Sequence, residues 1–146
     1  MHINHQLDRF IEAQQKDYDI AFQEMQRGRK QSHWMWYIFP QLKGLGFSST
    51  SQYYGIKDLD EATGYLQHEV LGERLIRICQ VLVGLKTNDA HQVFGRPDDL
   101  KLKSSMTLFA AVPNADPVFE MVLEKFFDGR RDEKTMEWIL RDLDAQ

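Results

Sequence analysis

The sequence predicts an all-α fold, a compact orthogonal bundle of six or seven helices in a single domain spanning residues 1–146, with its core at about residues 7–140. Three observations lead there. Apolar residues recur at helical spacing through most of the chain. Start signals from Asp and Pro alternate with Gly stop signals at intervals of one short helix. No two alternating runs are joined by a hairpin turn. A length of 146 residues suits one domain with one core, and the chain has no repeat, low-complexity tract or linker.

The elements follow in order. Leu7, Phe10, Ile11, Tyr18, Ala21, Phe22 and Met25 make one apolar stripe, with Asp8, Glu12, Lys16, Asp19 and Gln23 largely off it, and Gly28 is placed to end that helix. From Trp34 to Phe39 the chain is continuously apolar, which periodicity cannot assign to helix or strand, and Pro40 ends the run. Gly44, Gly46, Gly55 and the Ser48-Ser49-Thr50-Ser51 cluster read as a loop of ordered turns. Asp58 or Asp60 caps a helix to about Gln67. Another starts near Leu71 and carries a Leu75, Ile78, Cys79, Leu82, Val83 core stripe. Asn88 caps a short turn from Asp89 to Phe94, which Gly95-Arg96-Pro97 breaks, and Pro97 opens a helix through Leu100, Ser104, Leu108 and Ala111. Asp116-Pro117 repeats the start signal for Val118 to Phe127. Gly129 stops that helix, and Asp132 begins a last one ending near Leu140.

A net charge of −4 argues against a general nucleic-acid or membrane-surface binder. The average hides an asymmetry. From Arg27 to Lys57 there is no Asp or Glu, so that segment is +5 and the rest of the chain −9. The same 31 residues hold seven of the 17 aromatics, which makes this the segment to search for a site. The single cysteine, Cys79, excludes an internal disulfide framework and fits a reducing compartment. Charge-free runs such as Gln31 to Leu42 fall far short of the ~18 apolar residues of a membrane span, so the expectation is a cytoplasmic protein without a membrane partner.

Three constellations can carry chemistry. The first runs from Lys30 to Ser48. A site for a planar anion wants aromatic faces, cations, and glycines that let backbone amides approach phosphate oxygens. Trp34 and Trp36 offer the faces, Lys30 and Lys43 the charge, and Gly44 and Gly46 the amides, with Ser32, Gln41 and Ser48 as polar neighbours. His33 is the candidate general acid or base. The alternative is that the tryptophans, Met35 and Phe39 are core and the glycines only make turns. Gly44-x-Gly46 lacks the third glycine of a dinucleotide fingerprint. The second constellation is Lys101 to Phe109, where Ser104 and Ser105 either orient a ligand or permit close helix contact with their hydroxyls on backbone carbonyls. The third is the Phe127 to Thr135 connection, where Asp132 can cap the last helix while Arg130 pairs with a carboxylate or meets an anion. His2, His5, His68 and His91 lack metal-ligand spacing, and neither a zinc site nor a cofactor is expected. Asp60, Glu61, Glu69 and Glu73 are paired acids, but their spacing does not set them across a substrate, so a glycosidase dyad has no support.

Together these segments resemble DUF1810, a family of small bacterial domains. The resemblance rests on Lys30 with Ser32 to Gln41, on Gly44-Leu45-Gly46 and Ser48, and on Tyr65-Leu66, Leu71-Gly72 and Arg74-Leu75. It continues through Phe94-Gly95, Lys101 with Ser104 to Phe109, and Gly129 with Asp132 and Thr135. It implies a compact all-α fold and no established activity. A calpastatin label attached to some members does not suit an ordered, unrepeated chain. Where the family pattern has His-Pro before Leu71-Gly72, this chain has His68-Glu69-Val70, which implies a less rigid helix join.

Three functional readings follow. The first is a pocket, with or without catalysis, for a small anionic aromatic molecule such as a nucleotide or an ADP-ribose-like compound. The second is a non-catalytic module whose exposed aromatics dock a protein. The third, weakened by the −9 remainder, is single-stranded nucleic-acid binding. Burial discriminates: a concave pocket of Trp34, Trp36 and Tyr37 beside His33 and Ser104-Ser105 favours the first, and a convex exposed patch the second.

Overall fold

Residues 5–145 are described by the structure, a computed structural model, and among them the regular elements are nine α-helices and one 3-10 turn, His5–Leu7. The helices are α1 (Asp8–Gln26), α2 (Met35–Ile38), α3 (Ser49–Tyr53), α4 (Leu59–Gln67) and α5 (Leu71–Val83), then α6 (Ala90–Phe94), α7 (Asp98–Ala110), α8 (Val118–Phe127) and α9 (Glu133–Asp144). The class is the one the sequence predicts. The count is higher because the Trp34–Phe39 run closes one helical turn, α2, and the Ser48 cluster holds another, α3. Ser48 Oγ accepts Ser51 N at 3.0 Å, so a turn read as loop is a capped short helix. Asp89 rather than Asn88 caps α6, accepting His91 N and Gln92 N. Asn88 instead accepts Lys125 Nζ at 3.0 Å. The last helix runs four residues beyond Leu140.

α7 is the central helix, packed on α4, α6, α8 and α9. Its buried run Ser104 to Phe109 explains why three hydroxyls sit there. Small side chains admit neighbours from several directions, and Ser104 Oγ and Thr107 Oγ1 donate to Leu100 O (3.2 Å) and Lys103 O (2.8 Å). α5 lies between α1, α4 and α8. The tight α4 to α5 join depends on Gly72, where a Cβ would stand 2.1 Å from Leu66 O. There the His68 imidazole ties the join, its Nδ1 accepting Val70 N (3.1 Å) and Leu71 N (3.3 Å). An aromatic chain, Phe10 to Tyr65 (5.2 Å between centroids), Tyr65 to Phe109 (5.3 Å) and Phe109 to Phe119 (5.8 Å), ties α1, α4, α7 and α8 into one core. Cys79 is buried in it, which pushes its thiol pKa up and leaves it inert.

Two features fix the loop that follows α2. Leu42 and Ile56 form a parallel bridge, Lys43 N donating to Ile56 O (2.8 Å) and Ile56 N to Gln41 O (2.9 Å). Arg9 of α1 clamps the loop's exit through Tyr53 O (2.8 Å), Gly55 O (3.0 Å) and Glu61 Oε1 (3.1 Å). Residues 43–55 therefore leave and rejoin the body at adjacent points.

Candidate functional site

The segment from Lys30 to Ser48 divides between three places. Its first part is tied down from inside. Glu24, buried on α1, accepts Gln31 N (2.8 Å), Ser32 N (3.0 Å), Ser32 Oγ (2.5 Å) and Trp34 Nε1 (2.9 Å). Burial alone would raise its carboxyl pKa, but the hydrogen bonds from Ser32, Gln31 and Trp34 outweigh it and hold the group at about 2. Trp34 is 1% exposed, so its indole faces are core. Lys30 Nζ lies 2.9 Å from Asp98 Oδ2 and 4.9 Å from the Trp34 ring centroid, which engages its charge within the protein. The acid missing from the Arg27–Lys57 stretch is supplied by Glu24, three residues before its start.

The other residues of this part stand apart. His33 is exposed at the bend before α2, and its carbonyl accepts the Tyr37 hydroxyl at 3.2 Å. Trp36 is half-buried, with Lys101 Nζ 5.2 Å from its ring centroid. Tyr37 is buried, its hydroxyl also donating to Asp17, and burial and that bond push its pKa up. Trp34, Trp36, Tyr37 and His33 line none of the concavities described below.

The second place is a groove. Gln41, Leu45, Gly46 and Ser104 line a cavity of ≈ 240 Å³ with Pro97, Leu100, Lys101, Asp132 and Lys134. Adjoining it, Gly44, Leu45 and Phe47 line one of ≈ 200 Å³ with Lys134, Glu137, Trp138 and Arg141. The two share Leu45 and Lys134 and lie between the loop and the α7 and α9 helices. Gly44, at φ +102°, takes a backbone shape that side chains disfavour, and a Cβ on Gly46 would stand 2.6 Å from Ser51 Oγ. The opposite wall is equally fixed. Asp132 N donates to Thr107 Oγ1 (2.9 Å), Asp132 Oδ2 caps α9 through Thr135 N (3.0 Å), and Asp142 Oδ2 accepts Leu59 N (3.1 Å).

The groove's positive charge comes from Lys101, Lys134 and Arg141, set against the carboxylates of Asp132 and Glu137. Lys101 shares Asp98 with Lys30, its Nζ 3.4 Å from Asp98 Oδ1. Phe47 is 91% exposed and Trp138 46%, so two aromatic faces are open to solvent at this end. Phe47 and Lys134 fall within the Lys30–Ser48 and Phe127–Thr135 constellations without a role of their own, and Glu137, Trp138 and Arg141 fall outside all three. The signal was present for four of them, since Lys134, Glu137, Trp138 and Arg141 recur at i, i+3, i+4 and i+7 and share one helix face.

The third place is a larger concavity of ≈ 470 Å³, on the side reached by Lys43, with Arg9, Glu12, Tyr53, Lys57 and Glu61 among its walls. Its one guanidinium is already engaged by the loop exit and Glu61, and its acids offset its lysines. The remaining candidates are dispersed. Ser48 caps α3. Ser105 is 0% exposed with its hydroxyl unpartnered among the described residues. Arg130 is exposed, and its neighbour Arg131 makes the pairing, with Glu120. His2 lies outside the described residues. Among those residues, no group of three or more His, Cys, Asp or Glu is placed to hold a metal, and no helix is long and apolar enough to cross a membrane.

Among curated proteins, none matches the chain. Among solved structures it is similar to the conserved hypothetical protein Rv1873 from Mycobacterium tuberculosis, at 43% identity and a TM-score of 0.90, over 92% of this chain and 96% of that one. The model of the family described as protein of unknown function DUF1810 matches residues 4–139, and the chain belongs to that family.

Proposed function

We propose that the protein binds a small anion bearing a planar ring, of the nucleotide type, in the groove between the Gly44–Ser48 loop and α7 and α9. One observation carries this reading. Gln41 and Gly46 meet Ser104 of the distant α7 in one cavity and Gly44 lines the adjoining one, in a groove that also holds Lys101, Lys134 and Arg141 against Asp132 and Glu137, with two open aromatic rings. At ≈ 240 and ≈ 200 Å³ each cavity is smaller than the ~300–1,000 Å³ typical of small-molecule sites, so the ligand spans both. The reading is binding rather than catalysis. The groove walls hold neither histidine nor cysteine, and Ser104 Oγ is engaged by Leu100 O.

A thermal-shift series with nucleoside monophosphates and sugar phosphates tests it. A ligand at 100 times its Kd stabilises the fold by about 2.7 kcal/mol, several degrees for a domain of this length. The shift should disappear in Lys134→Met and persist in Lys43→Met, because Lys134 lines both cavities and Lys43 neither. The same shift in both variants would place the ligand elsewhere. The 91% exposure of Phe47 favours a second reading, a protein-docking surface with Phe47 and Trp138 as anchors. A Phe47→Ala change that abolishes a protein contact, with no nucleotide shift in wild type, would decide for it.

A further inference from the structure

Resting on that reading, we propose that the groove discriminates among ring systems and selects guanine, with Glu137 as the specificity-determining residue. The end lined by Phe47 and Trp138 contains one carboxylate, Glu137. Among the described residues its side chain is engaged in no hydrogen bond or ion pair. Lys134 and Arg141 lie one helical turn to either side of it on the same face. These two cations keep the groove attractive to a phosphate despite the acid.

A carboxylate only accepts, so it rewards a ring edge with adjacent donors. Guanine presents N1–H and the N2 amine side by side, one for each carboxylate oxygen. Adenine and cytosine place an acceptor nitrogen beside their amine, and uracil flanks its single N–H with two carbonyls. Each of these sets a lone pair against Glu137. The other cavity, where Gly46, Gln41, Lys101 and Ser104 converge, then takes the sugar and phosphate. The combined space suits one nucleotide.

The test measures Kd by Trp fluorescence or calorimetry for GMP, IMP, AMP and UMP. IMP keeps N1–H and lacks the N2 amine, so it isolates one hydrogen bond to the carboxylate. GMP should bind about tenfold or more tighter than IMP, the usual size of one charge-assisted hydrogen bond. Glu137→Gln should bring the GMP to IMP ratio close to one. Lys101→Met should weaken both by a similar factor and preserve the ratio. Glu137 is exposed and Lys101 half-buried against Asp98 and Trp36, and unchanged far-UV circular dichroism verifies folding of both variants. Nucleotides that bind without a GMP preference, or a preference that survives Glu137→Gln, overturn the guanine assignment and leave the nucleotide reading standing. Failure of every nucleotide to bind overturns both.

Discussion

Replacing Glu24 with Gln keeps the shape of the buried carboxylate and removes its charge. In the wild type three backbone or indole N–H groups and one hydroxyl converge on it. Its pKa is lowered from 4.5 to about 2. A folded-state pKa below the unfolded one means that the ionised form is preferred in the fold. The stabilisation is complete above the unfolded value and is lost as the pH falls through the window between 4.5 and about 2. At 1.36 kcal/mol per pKa unit the shift corresponds to about 3 kcal/mol, or about 10 °C in Tm for a chain of this length. Urea denaturation followed by circular dichroism at pH 7 and pH 3 is the assay. The variant should be less stable by about 3 kcal/mol at pH 7, and by less than half of that at pH 3, where the wild-type carboxylate has lost most of its advantage. Equal destabilisation at the two pH values would show that shape rather than charge holds Gln31, Ser32 and Trp34, and would refute the reasoning.

Ser105→Ala should leave stability unchanged or raise it by about 1 kcal/mol in chemical denaturation, because the hydroxyl it removes is buried without a partner. Gly72→Ala should cost at least ~1–3 kcal/mol in the same assay, since the new methyl would meet the Leu66 carbonyl, a backbone atom that cannot rotate away. His33→Ala should shift the denaturation midpoint by no more than the ~0.5 kcal/mol typical of surface positions. If a catalytic activity is found for the chain, its survival in His33→Ala would remove His33 as acid or base.

The helices were legible because they rest on local signals. Asp58, Asp132 and Gly129 stand where the sequence places a cap, a cap and a stop, and each acts within its own turn. The groove was half legible for the opposite reason. Gln41, Gly44, Gly46 and Ser104 carry the right chemistry, but nothing local reveals that residues 41–46 lie against α7. The loop is drawn there by the Leu42 to Ile56 bridge and by Arg9, contacts between distant parts of the chain. Composition also misled at Trp34. An acid-free aromatic run with a lysine looks like a recognition surface, and its neutralising partners, Glu24 and Asp98, lie outside the run in sequence and inside it in space.

The bridge between Leu42 and Ile56 has a consequence for how relatives can diverge. Because the chain enters and leaves residues 43–55 at hydrogen-bonded neighbours, insertions there displace no helix outside the excursion, which itself contains only the short α3. Lengthening such a closed excursion is entropically mild, with each doubling costing only about 0.6 kcal/mol. The α9 wall has no such freedom, being pinned at Thr107 and Leu59. One side of the groove is thus a replaceable cassette and the other a fixed anvil, so new ligand preferences can evolve through the loop while the bundle folds as before.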